Sequence, residues 1–503
     1  MRRLAAVTAC LAALALVAGC SVDLEGAACS TPGDRTACPE GQACGTGHTC
    51  SKRAASCTPC VAEATTCKEG EPAHVYTCSA EGDPACGTLA QGDDCGAAKV
   101  CGVTGTGAAC RCARFTVDPA GAAGVACSYT AISAAISAAQ ALQATEVLLG
   151  GITGQTYGDT AADRDGITLP DGMTLRGADA TPSPADRPVL ASGGGEGIRL
   201  GAGSALRGLS LRRASGGPAV GIRVTGASPT GGASLDTVVV EAGGAGVGFA
   251  TGVQVEGNGL VTLRSSSAYG ATVAGLEVVR ADGAQEVAVS GGLLQGNAIG
   301  VKLERGTLSL NGTQIFASTG PGIQAAPATG DVAKLTARSV TVARGANVGL
   351  LLQGLAALEL TQVQVCANSG RSQTILGVTR TAGGVLALGA VTATPVIRAS
   401  QFFSNTGDQV VIGGGGSTSP WSLSSTDCSS TGEGAPNVLA GYVSPGVGIT
   451  VITATADVTK ISWGSEDIPR QNSDYVLGGT GAVPGSDNSC QAAVPAPACP
   501  AAP

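Results

Sequence analysis

The sequence predicts an all-β protein in which a solenoid of short, stacked strands follows small disulfide-rich modules. Three observations lead to this prediction. Glycine is abundant, at 78 of 503 residues, whereas aromatic residues make up only 3%. A phrase of one glycine and two aliphatic residues recurs from residue 197 onward, and thirteen cysteines lie between Cys29 and Cys112. Many short strands joined by tight turns suit a core of small and aliphatic side chains.

The repeated phrase consists of a glycine, an aliphatic residue, any residue and usually a second aliphatic residue. Successive phrases are 24, 31, 23, 25, 22, 27 and 35 residues apart. A period in the twenties, with two or more strands per repeat, predicts stacked coils whose strands pair about 4.8 Å apart. The aliphatic positions are expected to face the core and the third position to face solvent. The phrases begin at Gly197, Gly221, Gly252, Gly275, Gly300, Gly322, Gly349 and Gly384.

The start of the solenoid is predicted to contain a helix and several short strands. Ser128 is the expected N-cap of the helix. Residues 146–150 are predicted to form a short buried strand, and residues 167–177 two strands around a Pro-Asp-Gly turn. The helix itself is indicated by an apolar stripe at helical spacing, formed by Ile132, Ile136, Ala139 and Leu142.

Residues 129–135, 146–150 and 167–178 together resemble the beginning of a right-handed parallel β-helix of the pectin-lyase-like class. The resemblance extends over about residues 115–430. It implies that a short amphipathic helix caps the first coil and covers an open strand edge. We therefore expect a parallel β-helix over residues 113–470. The class includes lyases, hydrolases, adhesins and proteins without known chemistry, so the resemblance implies a fold and not an activity.

The N-terminus has the pattern of a bacterial lipoprotein signal. Arg2 and Arg3 precede an apolar stretch that is too short to span a bilayer, and small residues lead to Cys20. This segment resembles a lipobox, which implies cleavage before Cys20 and acylation of its sulfur and amine. The predicted order is a signal peptide over 1–19 and a lipidated linker over 20–28. The expected location is the cell envelope, at the outer membrane, with the lipid as the membrane contact.

Residues 29–112 are predicted to form disulfide modules, because large apolar residues are few there and export supplies an oxidising compartment. The Cys57-x-x-Cys60 pair could be half of a zinc site, but no second such pair follows at suitable spacing. Residues 471–503 are a Gly-, Pro- and Ala-rich tail in which Cys490 and Cys499 can close a small loop. Cys366 and Cys428 stay unassigned. The cysteines predicted in disulfides are Cys29, Cys38, Cys44, Cys50, Cys57, Cys60, Cys67, Cys78, Cys86, Cys95, Cys101, Cys110, Cys112, Cys127, Cys490 and Cys499.

No catalytic constellation and no cofactor site is predicted. Both histidines, His48 and His74, lie in the cysteine-rich modules, so the β-helix has none for Ser/His/Asp or Cys/His catalysis. The aspartates of the β-helix are scattered over different positions of their coils, whereas acid–base hydrolysis needs paired carboxylates. One loop is a candidate calcium site, although a solvated turn is the favoured interpretation. Its oxygen donors are Asp159, Asp163 and Asp165.

The charge of the chain argues against one class of partner. The net charge is −8 and the isoelectric point about 5.0. The 29 Lys and Arg residues are spread too thinly to neutralise nucleic acid phosphates. The leading hypothesis is a non-enzymatic, lipid-anchored envelope protein whose β-helix contacts a polysaccharide or a surface protein. The alternatives are a polysaccharide lyase or glycoside hydrolase with an unrecognised acidic site, and a mainly structural envelope component without a small ligand. Converging carboxylates would favour an enzyme, and polar ladders along one face would favour glycan binding.

Overall fold

The structure is a computed structural model in which the chain forms two compact units, residues 1–114 and residues 115–503. Within the part that it describes, no helix is long and apolar enough to cross a membrane. The described residues are 42–44, 50–52, 65–68, 71–79, 88–95, 99–104, 107–119, 127–150, 156–158, 160, 163–177, 187–214, 219–225, 232–241, 247–257, 259–279, 285–413, 420–423, 435–440, 447–452, 456–458, 461–463, 490 and 498–502.

The first unit is built from antiparallel strands, which form two ribbons of two strands and one sheet of three. Val75, Cys95 and Ala108 make a small buried cluster, and Cys110 packs against it. A disulfide joins Cys95 to Cys110, so a covalent bond supplements this small core. The strands are Gln42–Cys44, Cys50–Lys52, Thr65–Lys68, Glu71–Ser79, Thr88–Asp94, Lys99–Thr104 and Gly107–Cys112.

The second unit is a parallel β-helix, which confirms the predicted fold class. Its strands form three long sheets in which neighbouring strands belong to successive coils and run parallel. Sheet 1 comprises Ser128–Tyr129, Phe115–Val117, Glu146–Leu149, Thr174–Gly177, Ala205–Arg207, Ala233–Asp236, Gly259–Arg264, Gln285–Ser290, Gly306–Asn311, Ala333–Arg338, Ala357–Thr361, Val396–Arg398, Trp421–Ser422 and Ala456–Asp457.

Each coil continues from sheet 1 through sheet 2 to sheet 3. Sheet 2 comprises Thr156–Tyr157, Val189–Ser192, Ser210–Arg213, Val239–Glu241, Ser267–Tyr269, Leu293–Gln295, Gln314–Phe316, Thr341–Ala343, Gln364–Cys366, Gln401–Phe403, Val438–Ala440 and Ser462–Trp463. Sheet 3 comprises Ile167–Leu169, Glu196–Leu200, Val220–Val224, Thr251–Val255, Ala274–Val278, Ile299–Leu303, Ile323–Ala325, Leu350–Gln353, Val378–Leu388, Asp408–Gly413 and Ile449–Ile452, with Arg371–Ile375 beside Val378–Leu388.

The eight glycine phrases supply eight successive strands of sheet 3, in one continuous register. The structure explains why each begins with glycine. A Cβ atom built on Gly221 would lie 2.6 Å from the carbonyl oxygen of Gly252 and 2.6 Å from a methyl group of Val240. Glycine therefore lets the inward side chains of sheet 2 pack directly on the backbone of sheet 3.

Buried polar side chains satisfy the backbone where sheet 2 turns into sheet 3. The Oδ1 atom of Asn368 accepts a hydrogen bond of 2.9 Å from the backbone amide of Gly345 in the preceding coil. Its Nδ2 atom donates to Oδ1 of Asn405 in the next coil, also at 2.9 Å. Because both asparagines are at most 2% exposed, their amides replace the water that the turns would otherwise need.

In the described residues a helix, α1 (Ile132–Ala141), lies beside the first coil and buries Ile132, Ala135, Ile136 and Ala139. The expected Ser128 cap is wrong, since Ala131 is the N-cap and no side chain at that position caps the helix. Asp163 takes this role from a later part of the chain. Its Oδ2 accepts the backbone N–H of Ile132 at 2.7 Å, and its Oδ1 accepts that of Ser133 at 2.9 Å. A buried carboxylate thus binds the positive end of the helix.

A hairpin explains the longest step between two glycine phrases, the 35 residues from Gly349 to Gly384. Arg371–Ile375 pairs antiparallel with the first half of Val378–Leu388. Ile375 packs in one buried cluster with three apolar residues that occupy the outward position of sheet 3 in successive coils. Within the described residues, the outward position of sheet 3 is apolar over these three coils, and the hairpin packs against it there. The three residues are Leu351, Leu386 and Val411.

The last described residues lie against the outer side of sheet 2. Cys499 forms a disulfide with Cys366, 133 residues away, and the backbone oxygen of Pro500 accepts a hydrogen bond from Nε of Arg344 at 3.0 Å. The predicted loop closed by Cys490 and Cys499 is therefore wrong. The third residues of five sheet 2 strands form an apolar row on the outer side of the sheet, and Cys499 packs against this row. This row is Phe316, Ala343, Cys366, Phe403 and Ala440, each at most 1% exposed.

Candidate functional site

The structure describes two of the three predicted calcium donors. Asp163 is buried and uses both carboxylate oxygens on helix α1, whereas Asp165 is exposed in a surface groove. Asp159 lies outside the described residues. Among those that are described, no group of three His, Cys, Asp or Glu side chains is placed to hold a metal ion. A calcium site that includes Asp159 stays a prediction, and Asp163 has a structural role.

The predicted disulfide cysteines are described only in part. Cys95 and Cys110 are joined, and Cys112, Cys127, Cys490 and Cys499 are also disulfide-bonded. Sequence reasoning missed Cys366, which is in the bond to Cys499. Only the backbone is described for Cys44, Cys50, Cys67, Cys78 and Cys101. The lipidation residue Cys20 and the signal segment lie outside the described residues, together with Cys29, Cys38, Cys57, Cys60, Cys86 and Cys428.

The outward position of sheet 3 carries a column of polar and charged side chains, as the third position of the glycine phrases predicts. At its first coils lies a groove of about 350 Å³, lined among others by Asp165, Thr168, Glu196 and Arg199. The column continues over successive coils through hydrogen-bonded strands. Its members are Thr168, Arg199, Arg223, Gln254, Glu277, Lys302 and Gln324.

Ion pairs occupy most of the charges in this column. Glu196 lies 2.9 Å from Nη2 of Arg199 and 2.7 Å from Nε of Arg223. Three coils beyond Arg223, Lys302 pairs with Glu277 at 2.9 Å and with Glu304 at 2.7 Å. Two of these pairs, Arg223 with Glu196 and Lys302 with Glu277, join neighbouring coils. Together the ion pairs leave the column close to neutral, because each charge faces its opposite.

The same contacts decide whether this groove could supply an acid catalyst. The hydrogen bond from Arg199, outweighing partial burial and helped by Arg223, lowers the pKa of Glu196. A general acid needs a raised pKa, so Glu196 is suited to ion pairing and not to proton donation. Burial does raise the pKa of Asp408, but this side chain is 1% exposed and accepts hydrogen bonds from Val447 and Thr450 inside the protein. It is out of reach of a polymer.

A second groove, of about 410 Å³, lies on the outer side of sheet 2 and its turns from sheet 1. We call it the amide groove. Two hydrogen bonds along it, which we call its ladders, each join two neighbouring coils: the Ser339 hydroxyl donates to Oε1 of Gln362 at 3.3 Å, and Nε2 of Gln364 donates to Oε1 of Gln401 at 3.3 Å. Its lining includes Ser339, Thr341, Gln362, Gln364, Ala399 and Gln401, and no charged residue.

The backbone places these side chains in two parallel columns. Ser339, Gln362 and Ala399 have positive φ values of 51°, 55° and 49° in the turns between sheets 1 and 2. Thr341, Gln364 and Gln401 occupy the first position of three stacked strands of sheet 2. Sequence reasoning missed this groove. The signal was present, because glutamine begins both Gln364–Cys366 and Gln401–Phe403, but it becomes meaningful only once the register is known.

Comparisons with known proteins add little to this description. No protein-family model and no curated protein matches the chain. Among solved structures, the chain is similar to the A-module of the mannuronan C-5 epimerase AlgE6 of Azotobacter vinelandii, with 14% sequence identity and a TM-score of 0.33. The likeness covers 72% of this chain and 94% of that chain. At this identity and score it carries no argument about activity, and the site is interpreted from its own residues.

Proposed function

We propose that the protein is a lipid-anchored component of the bacterial cell envelope whose β-helix binds a glycan without chemically changing it. The observation that carries this proposal is the pair of polar ladders in the amide groove, one through Ser339 and Gln362 and one through Gln364 and Gln401. Repeated hydrogen-bonding groups along stacked coils match a ligand that is itself a repeat of hydroxyl-bearing units.

The positions of three described carboxylates support binding over catalysis. The carboxylate of Glu196 is held by Arg199 and Arg223, and that of Asp163 by the N-terminus of helix α1. Asp408 is enclosed in the protein. In the described residues these carboxylates are occupied or out of reach, whereas glycoside hydrolysis needs two that flank one bond.

Anchoring rests on the sequence pattern at Cys20 and on the export that it implies. Several acyl chains bind a bilayer stably, at about 0.8 kcal/mol per buried CH₂ group. The disulfides Cys95–Cys110 and Cys366–Cys499 agree with an oxidising location beyond the inner membrane. Growth with a radiolabelled fatty acid tests the anchor: wild-type protein should be labelled and Cys20→Ala should not. Persistent labelling of Cys20→Ala would place the lipid elsewhere.

A panel of polysaccharides tests the glycan proposal. The detergent-solubilised full chain is run through native gels that contain a neutral β-glucan, galactomannan, arabinoxylan, polygalacturonate or alginate, and retardation is compared with a gel lacking polymer. In parallel, each polymer is incubated with the protein and its chain length and composition are measured. We expect retardation in at least one gel and unchanged polymers. Depolymerisation or conversion of any polymer would establish an enzyme instead, and no retardation in any gel would contradict glycan binding.

A further inference from the structure

The amide groove spans three consecutive coils and is continuous along the direction in which they stack. Thr341, Gln364 and Gln401 are paired in register from one strand of sheet 2 to the next. Strands of neighbouring coils are about 4.8 Å apart, so three coils extend over roughly 10 Å. A groove of about 410 Å³ has the size of known small-ligand sites and can hold a short section of an extended polymer.

The internal ladders leave matched donors and acceptors for a ligand. In each ladder one donor and one side-chain carbonyl oxygen are already paired. Ser339 donates to the oxygen of Gln362, and Gln364 donates to the oxygen of Gln401. Among the described residues, the Nε2 atoms of Gln362 and Gln401 and the Thr341 hydroxyl have no hydrogen-bond partner. The groove therefore presents both donors and acceptors, which a sugar hydroxyl can satisfy because it donates and accepts at once.

We infer that the amide groove is a binding site for an uncharged, hydroxyl-rich glycan, with Gln362, Gln364 and Gln401 as its specificity-determining residues. This inference rests on the proposed glycan binding and adds the site and the class of ligand. Acidic glycans carry carboxylates, whose partners in proteins are Arg, Lys or metal ions. The lining has none of these side chains.

The basic side chains of the same coils lie outside the lining of the groove. Arg344, which follows a strand of sheet 2, donates to the backbone oxygen of Pro500, and two other arginines lie in sheet 1. Arg338 and Arg398 are the last residues of two sheet 1 strands, one position before the turn residues Ser339 and Ala399, and both are exposed. They lie beyond the turns that border the groove. An acidic polymer that bound there would use these arginines and not the glutamines, so the two locations can be separated by mutation.

The test uses full-length protein in the affinity gels described above, with the neutral polymer that retards wild type most strongly. The variant is Gln362→Ala/Gln364→Ala/Gln401→Ala. The matched control is Gln140→Ala/Gln324→Ala/Gln373→Ala, which removes three glutamines of helix α1, sheet 3 and the hairpin. We expect the groove variant to weaken binding at least tenfold and the control to match wild type. Raising the salt from 0.05 to about 0.5 M should leave wild-type binding unchanged, because no ion pair forms with the ligand.

The outcomes separate this inference from the broader proposal. If the groove variant binds the neutral polymer as strongly as wild type does, the site assignment is overturned and glycan binding stays supported. Binding confined to acidic polymers, lost at high salt and in Arg338→Ala/Arg398→Ala, would overturn the ligand class. Absence of binding to every polymer would contradict the proposed function itself. Circular dichroism of each variant checks that the β-helix is retained, and Gln364→Glu, which keeps the side-chain size, should also weaken neutral-glycan binding.

Discussion

The carboxylate of Asp163 caps helix α1 through the backbone amide of Ile132, at 2.7 Å and across 31 residues of sequence. A second hydrogen bond, 2.9 Å long, reaches the amide of Ser133. The helix has no acidic residue in its first turn and no side-chain cap of its own. The loop that contains Asp163 therefore completes the helix that covers the start of the β-helix.

Removing this cap should destabilise the protein. For Asp163→Ala we expect a loss of about 1–2 kcal/mol in the free energy of unfolding, because two amides at the positive end of the helix lose a buried acceptor. Asp165→Ala, two residues later and exposed, should change it by less than about 0.5 kcal/mol. Urea unfolding followed by circular dichroism measures both. Equal effects of the two substitutions would contradict the assigned role.

The glycines that begin the repeated phrase should tolerate no added methyl group. Gly221→Ala is expected to cost about 1–3 kcal/mol, because its Cβ would meet the Gly252 carbonyl oxygen and Val240, each at 2.6 Å. Gly195→Ala is the control, since nothing lies within 4 Å of a Cβ atom built there. Thermal unfolding of the two variants should differ clearly in midpoint. A control as unstable as Gly221→Ala would show that backbone freedom and not space decides these positions.

The bond between Cys366 and Cys499 can be identified chemically. Proteolysis of unreduced protein should release a linked peptide pair containing these two residues, detected by mass spectrometry and lost after reduction. Cys499→Ser should lower the free energy of unfolding by about 2–4 kcal/mol, because 133 residues separate the two cysteines and the bond restricts the unfolded chain. A linked pair of Cys490 and Cys499 would instead support the small loop expected from sequence.

Asp408 should give the protein a component of stability that decreases as pH rises. Burial, opposed by hydrogen bonds from Thr450 and Val447 and by Arg380, raises the pKa of this carboxyl above its ordinary value of 3.8. The folded state thus holds the proton more tightly than the unfolded state. The resulting stabilisation is full below pH 3.8 and is lost as pH rises through the folded-state pKa.

Asp408→Asn isolates this contribution, since its side-chain oxygen can still accept from the Val447 amide and its side-chain NH2 group can donate to the Thr450 hydroxyl oxygen. The stability of the variant relative to wild type should therefore increase between pH 3.5 and pH 7, as measured by urea unfolding at both values. A relative stability that is constant or falls with pH would show that Arg380 compensates the buried charge completely.

Periodic features of the β-helix could be predicted from sequence because each coil imposes the same local requirement. The glycine phrases mark sheet 3, and their third residues, such as Arg199 and Lys302, face outward as expected. The irregular features could not be predicted in this way. Asp163 and helix α1 meet only after a coil has closed, and Cys366 and Cys499 only after nearly all coils have stacked. Neither contact leaves a local pattern.

The amide groove lies between these two cases. Its residues recur at the first position of successive strands, so the chain repeats them, but steps such as the 37 residues from Gln364 to Gln401 vary with loop length. Without the register, a glutamine at that spacing cannot be told from any exposed polar residue. Once the strands are aligned, the two ladders are evident.

The bond from Cys499 to Cys366 also determines how the β-helix would respond to a pulling force. Tension on the residues after Cys499 passes through the disulfide into the strand Gln364–Cys366, which is hydrogen-bonded to strands on both sides. The later coils are thereby bypassed and cannot be peeled off one after another from that end. A stack of turns ordinarily frays from its last turn, whereas in this protein the load enters at the ninth of the twelve described strands of sheet 2.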